Sequence, residues 1–241
     1  MAKLGKWIGG GLGWVILGPI GALLGFLVGS FLDGAQKLPA RNKTNIETSK
    51  GDFVVSLLVL IAAVMKVDGI VKTSELDYVR SYFRKSFGEQ AARESVLLLR
   101  EILKQNIPVD QVGNQIKMNM DYSSRLQLLH LLYGISQADG RIVQSEVDLI
   151  HYISNRIGVT TKDERSIRAM FVVVDNWAYK ILEINKDATI DDIKKAYRKM
   201  AMKYHPDKVS HLGEEFQYTA KEKFQKVNQA YELIKKERNF V

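Results

Sequence analysis

The sequence predicts an all-α chain in three parts: a transmembrane helix, a helical bundle with an internal repeat, and a C-terminal helical hairpin. Three observations predict it. From Trp7 to Leu32 the chain reads WIGGGLGWVILGPIGALLGFLVGSFL, uncharged until Asp33, and a span needs only about 20 apolar residues. VDGIVKTSELDYV at Val67–Val79 returns as ADGRIVQSEVDLI at Ala138–Ile150, each copy preceded by an apolar run. On both sides of KYHPDK, Lys203 to Lys208, apolar residues recur at three- and four-residue steps, the period of a helix with one buried face.

Composition excludes several function classes. Of 241 residues, 46% are hydrophobic and 26% charged, an ordinary globular balance. The chain has 0 cysteines, which removes disulfides, zinc ribbons and thiol catalysis and makes a reducing compartment the simpler home. A net charge of +8 implies attraction to phosphate, anionic lipid or an acidic protein without choosing among them.

The first segment reads as an uncleaved anchor. Lys3 and Lys6 precede the apolar run, Lys37, Arg41 and Lys43 follow it, and Trp7 and Trp14 lie where interfacial anchors sit. A signal peptide would have a shorter apolar run, and Asp33-Gly34-Ala35 is a poor cleavage site. Gly21, Gly25 and Gly29 fall every four residues, a face on which a second helix can approach closely, so homodimerisation through this helix is one expectation. The other is that glycine only loosens the segment while Pro19 kinks it. Polar residues 37–50 show no apolar period and read as a linker. The expected boundaries are anchor 1–36, linker 37–51, bundle 52–174 and hairpin domain 175–241.

Within the bundle, each copy of the repeat reads as helix, turn, helix. Gly69 and Gly140 suit a left-handed turn, Ser74 and Ser145 suit N-caps with Asp77 and Asp148 three residues on, and Glu75 and Glu146 would open the next helix. Thr161 to Glu164 has capping-box spacing for a further helix. The repeated DGxxxxSExD pattern, across Asp52 to Val174, resembles the TerB, or tellurite-resistance, module. That resemblance implies a divalent cation held by Asp68, Glu75, Asp139 and Glu146, oxygen ligands of the kind hard cations take. Local capping explains the same residues without a metal.

After a short amphipathic helix near Asn176–Ile184, Thr189 to Asp192 caps a helix whose stripe is Ile193, Ala196, Tyr197, Met200, Ala201 and Tyr204. Lys194, Lys195, Arg198, Lys199 and Lys203 take the other face. Pro206 ends that helix, and Ala220, Phe224, Val227, Tyr231 and Ile234 form a facing seam. His205, Pro206 and Asp207 therefore stand at the tip, presented to solvent. His205 and Asp207 are too close on one turn, with no implied pocket, to make an acid-base pair, so no catalytic residues and no enzyme are expected. His130 within LLHLL reads as a satisfied core residue, and the basic helix lacks the interleaved aromatics of a nucleic-acid binder.

The pattern from DIKKAYRKMAMKYHPDK to EKFQKVNQAYELIKK closely resembles the J-domain of DnaJ-type co-chaperones. The resemblance implies that His205, Pro206 and Asp207 engage a DnaK-class ATPase and accelerate its ATP hydrolysis, with Lys194, Lys195, Arg198, Lys199 and Lys203 docking on an acidic face. It implies no cofactor. The order of anchor, TerB-like bundle and J-domain is similar to the DjlA-type family of membrane-anchored DnaJ-like co-chaperones, which implies a single-pass protein of the bacterial inner membrane with cytoplasmic C-terminal domains. The competing expectation is a membrane-tethered cation or envelope-stress sensor in which chaperone recruitment is secondary.

Overall fold

A computed structural model of the protein describes residues 48–172, 175–212 and 214–240. The apolar segment with Gly21, Gly25 and Gly29, and most of the expected linker, lie outside the described residues. Among the described residues no helix is long and apolar enough to cross a membrane.

The described chain is helical throughout its regular elements. In order they are α1 (Thr48–Met65), α2 (Thr73–Leu103), α3 (Val109–Asn119), α4 (Tyr122–Ser136), α5 (Gln144–Arg156), α6 (Thr161–Arg168), α7 (Trp177–Ile181), α8 (Ile190–Lys203), a 3-10 turn (Pro206–Leu212) and α9 (Glu214–Glu237). α1 begins inside the stretch expected to be linker.

The two apolar runs that precede the repeats become the centre of the bundle. Leu57 to Met65 of α1 and Leu126 to Ser136 of α4 are buried on every side, as an all-round hydrophobic helix must be. Around this pair pack α2, α3, α5 and α6, whose apolar residues fall on one side, among them Phe83, Leu99, Ile116, Ile150 and Ile167. α2 is two helices joined at a kink, because Gly88 takes φ 84° and ψ 173°, a backbone state that costs glycine little.

Both repeats turn on a left-handed glycine as expected, Gly69 at φ 78° and Gly140 at φ 83°. The caps lie elsewhere than expected. The N-cap positions are Lys72 and Val143, so Glu75 and Glu146 are the third helical residues. Their carboxylates accept from the Lys72 and Val143 amides at 3.0 Å, and Ser74 and Ser145 lie inside the first turn. α6 is likewise capped one residue earlier, by Thr160, whose Oγ1 accepts from Asp163 N at 3.2 Å. In each case the residue able to reach back to the free amides outranks the serine or threonine next to it.

The C-terminal helices form the expected hairpin and then pack onto the bundle. α8 is capped by Thr189, whose Oγ1 accepts from Asp192 N at 3.2 Å. Tyr197 stacks on Tyr231 of α9 at 4.1 Å and donates to Asn228 at 3.1 Å. α9 lies between α7, α8 and the 3-10 turn on one side and the bundle helices α2 and α4 on the other.

Candidate partner-binding surface

The apex is made by the end of one helix and the tight turn after it. Tyr204 N donates to Met200 O at 3.0 Å and closes α8. Pro206 removes the next donor, and the chain continues as a 3-10 turn in which Lys208 N donates to His205 O at 3.0 Å. Asp207 N donates to His205 Nδ1 at 3.3 Å, and Ser210 Oγ to Asp207 O at 2.8 Å. The His205 and Asp207 side chains are 50% and 84% exposed, with Nδ1 and Oδ2 3.5 Å apart. His205 meets the Phe224 ring edge-on at 6.0 Å.

Beside them lies an open, mainly apolar cavity of about 370 Å³, lined by Ala201, Met202, His205, Asp207, Lys208 and Phe224. Met202, 69% exposed, had been absent from the expected site. Its signal in the sequence is a large apolar residue off the packing stripe, on the face otherwise given to cations.

The five basic residues of α8 divide into two rows. Lys194 and Arg198 lead along the helix to Met202 and His205, since positions four apart share a face. Arg198 is exposed and Lys194 lies over the Phe240 ring at 5.6 Å. Lys195, Lys199 and Lys203 form the other row, which faces the bundle. Lys203 is engaged within the chain. It forms an ion pair with Asp163 of α6 and another with Glu183 at 3.0 Å. Glu183, just after α7, holds a left-handed φ of 60°, and its carboxylate, 4% exposed, also faces Lys162 at 3.4 Å and Lys199 at 3.8 Å. Thr160 Oγ1 donates to Asp163 at 2.8 Å and the Tyr122 hydroxyl donates to it as well. Burial, reinforced by the Lys162 ammonium, pushes the Lys203 pKa down to about 8, which still leaves the ammonium form in the majority at neutral pH. The period of the helix alone placed Lys203 with its neighbours; only the tertiary contact separates it.

The flank of the apex opposite the apolar cavity is closed by the bundle. Tyr204, Val209 and Lys223, each 3% exposed or less, face Ser123, Leu126 and Gln127 of α4 across a crevice with only about 10 Å³ of room. Burial raises the Tyr204 phenol above its ordinary range, and Ser166 lies beside it. Lys223 sits over the Tyr204 ring at 5.5 Å, and no carboxylate among the described residues pairs with it. Burial lowers its pKa to about 7. His130 of α4 is buried as expected, yet its Nδ1 has no hydrogen-bond partner among the described residues. Burial, then Lys223 and Lys226, hold its pKa well below the usual histidine range.

A lysine whose pKa is depressed on burial binds fewer protons than it does when released. Folding stability therefore rises with pH between about 7 and the ordinary lysine value, and below about 7 the full penalty of the buried charge applies. Lys223→Met is expected to stabilise the protein at pH 7 by about 1–3 kcal/mol and to flatten the rise in urea midpoint between pH 7 and 9.5.

The four acidic residues of the repeats, to which the TerB resemblance assigns a cation, are engaged by groups of the chain itself. Asp68 accepts from Ile70 N and Asp139 from Arg141 N, both at 3.0 Å, and Glu75 and Glu146 cap their helices. Positive charge is supplied from within the chain: Lys72 Nζ lies 2.9 Å from Asp139, and Asp139, Glu146 and Glu75 all raise the Lys72 pKa. Its ammonium thus neutralises carboxylates from both repeats. Among the described residues no group of three or more His, Cys, Asp or Glu is arranged to hold a metal ion. Burial raises the Glu75 and Glu146 pKa values, whereas the Lys72 contact lowers that of Asp139. Lys72→Met leaves these carboxylates facing one another and is expected to cost about 1 kcal/mol, seen as a lower urea midpoint that added salt partly restores.

Three family profiles match the chain in order: the co-chaperone DjlA transmembrane domain over residues 1–43, tellurite resistance protein TerB over 55–169, and the DnaJ domain over 177–239. Co-chaperone protein DjlA of Coxiella burnetii is 25% identical over 270 residues, covering 100% of both chains. The chain is therefore similar, in domain order and over its whole length, to co-chaperone DjlA proteins. Co-chaperone protein DjlA of Photobacterium profundum is 24% identical over 98% of this chain and 99% of its own. Chaperone protein DnaJ of Fusobacterium nucleatum subsp. nucleatum is 50% identical over 56 residues, covering 23% of this chain and 14% of its own. No solved structure matches the chain. In family terms α7, α8, the 3-10 turn and α9 are the J-domain, and α1 to α6 are the TerB-like bundle.

Proposed function

We propose that this co-chaperone recruits a DnaK-class ATPase to a membrane and stimulates its ATP hydrolysis through the apex at His205, Pro206 and Asp207. The observation that carries this reading is the exposed His205 and Asp207 pair, bordered on one side by the apolar cavity under Met202 and Phe224 and continued along α8 by Lys194 and Arg198. A carboxylate and an imidazole held by backbone bonds suit charge-assisted hydrogen bonds to a partner. The cavity accepts an apolar side chain, and the free cations steer an acidic surface into register. Lys195 and Lys199, exposed at the edge of the second row, extend the same field. In this reading ATP hydrolysis belongs to the partner.

The match of residues 1–43 to a transmembrane domain supports anchoring, and the uncharged run with Gly21, Gly25 and Gly29 supplies a face for helix pairing in the bilayer. Because a DnaK-class chaperone acts in the cytoplasm, the J-domain lies on that side of a single-pass inner-membrane protein.

The test is single-turnover ATP hydrolysis by a DnaK-class chaperone with the full chain in lipid nanodiscs. Lys194→Glu combined with Arg198→Glu is expected to lower the apparent affinity about tenfold, chiefly through slower association, and to reduce its dependence on salt. Affinity unchanged by the double reversal at low ionic strength would remove α8 from the docking surface.

A further inference from the structure

The same hairpin that presents the apex also binds the bundle, and the two roles compete for one piece of surface. Resting on the proposed function, we propose that the TerB-like bundle acts as a brake on the J-domain, docked in cis so that α4 and α6 cover one flank of the apex and withhold Lys203 from the partner. On the covered flank, Asp163 of α6 and Glu183 hold Lys203, and Ser123, Leu126 and Gln127 of α4 close over Tyr204 and Val209. The crevice has room for no side chain of another protein, so a partner gripping the apex from both sides must first displace the bundle.

The composition of the contact fits a reversible junction. Its far end contains a cavity of about 230 Å³ whose lining is mainly polar, with Gln137 and His130 on the bundle side and Glu222, Gln225, Lys226 and Gln229 from α9. Intrachain interfaces of this polar kind favour relative motion of the parts they join. Lys223 is buried in the crevice itself, beside Tyr204 and Val209, and burying its charge opposes docking. Against these costs stands the clasp at Lys203, to which two carboxylates from different parts of the chain converge. Removing one carboxylate should therefore tip the balance.

Asp163→Asn keeps an oxygen to accept from the Thr160 hydroxyl and removes the charge facing Lys203. Ser123→Arg places a cation in the crevice against Lys208 and Lys223 and leaves α6 intact. Neither residue belongs to the apex. With the full chain in nanodiscs, either variant is expected to raise single-turnover stimulation of the DnaK-class ATPase at subsaturating concentration about tenfold, the equivalent of losing one charge-assisted hydrogen bond. Amide exchange should quicken in α4 and the 3-10 turn while α1 stays protected, which shows that the bundle remains folded. Faster exchange with unchanged or weaker stimulation would overturn the brake, because the contact would then be structural or cooperative. Unchanged exchange in both variants would overturn the clasp. Adding His205→Gln to either variant separates this proposal from the function on which it rests: stimulation that survives that substitution refutes the function, whatever the bundle does.

Discussion

Replacing His205 with Gln is expected to return ATP hydrolysis by the partner chaperone to nearly its unstimulated rate. Glutamine is similar in reach and uncharged, so the loss isolates what the ring does. In the folded protein the imidazole leans edge-on against Phe224 at 6.0 Å, and its Nδ1 receives the Asp207 amide at 3.3 Å. The ring thereby fixes the direction in which the Asp207 carboxylate leaves the turn. A flexible amide makes neither contact in a single geometry. Losing one hydrogen bond to a charged group costs about 1.5–3 kcal/mol, a factor of roughly 10 to 100 in the stimulated rate. The folding stability should move by less than about 0.5 kcal/mol, because the side chain is half exposed. A variant that melts with the wild type yet still stimulates would remove His205 from the interaction.

Phe83→Ala is expected to have the largest effect on the fold, about 3–5 kcal/mol. Phe83 is 0% exposed, lies edge-on to Tyr82 and stacked on Phe87, each at 5.5 Å, and sits on α2, which packs against both α1 and α9. Its removal leaves a hole between the central helix and the J-domain's support, with aromatic neighbours too rigid to fill it. Urea unfolding measures the cost. A change below about 1 kcal/mol would mean that α2 does not close this part of the core.

The helices were legible in the sequence because their signals are local. The apolar runs of α1 and α4, the three-four period of α8 and α9, and the proline after His205 each act within a few residues. The left-handed Gly69 and Gly140 belong to the same class. What local pattern could not supply was partnership over distance. Lys203 has the same helical spacing as Lys195 and Lys199, and nothing near it in sequence announces Asp163. Lys72 reads as an ordinary lysine between a turn and a helix, and its place among carboxylates from both repeats depends on how the two halves fold together. The caps were missed by one or two residues for a related reason: serine and threonine are the stronger cappers in general, but Glu75 and Glu146 had the reach to bond amides that burial would otherwise have left unpaired.

The apex is wound, not slack: from Pro206 to Leu212 it keeps the pitch of a 3-10 turn, pinned by Ser210 and Lys208. A recognition element already shaped before contact surrenders little conformational freedom when it is seized. Modest chemistry, one ring, one acid and one thioether, can therefore hold a much larger machine long enough for it to fire, and can let it go again.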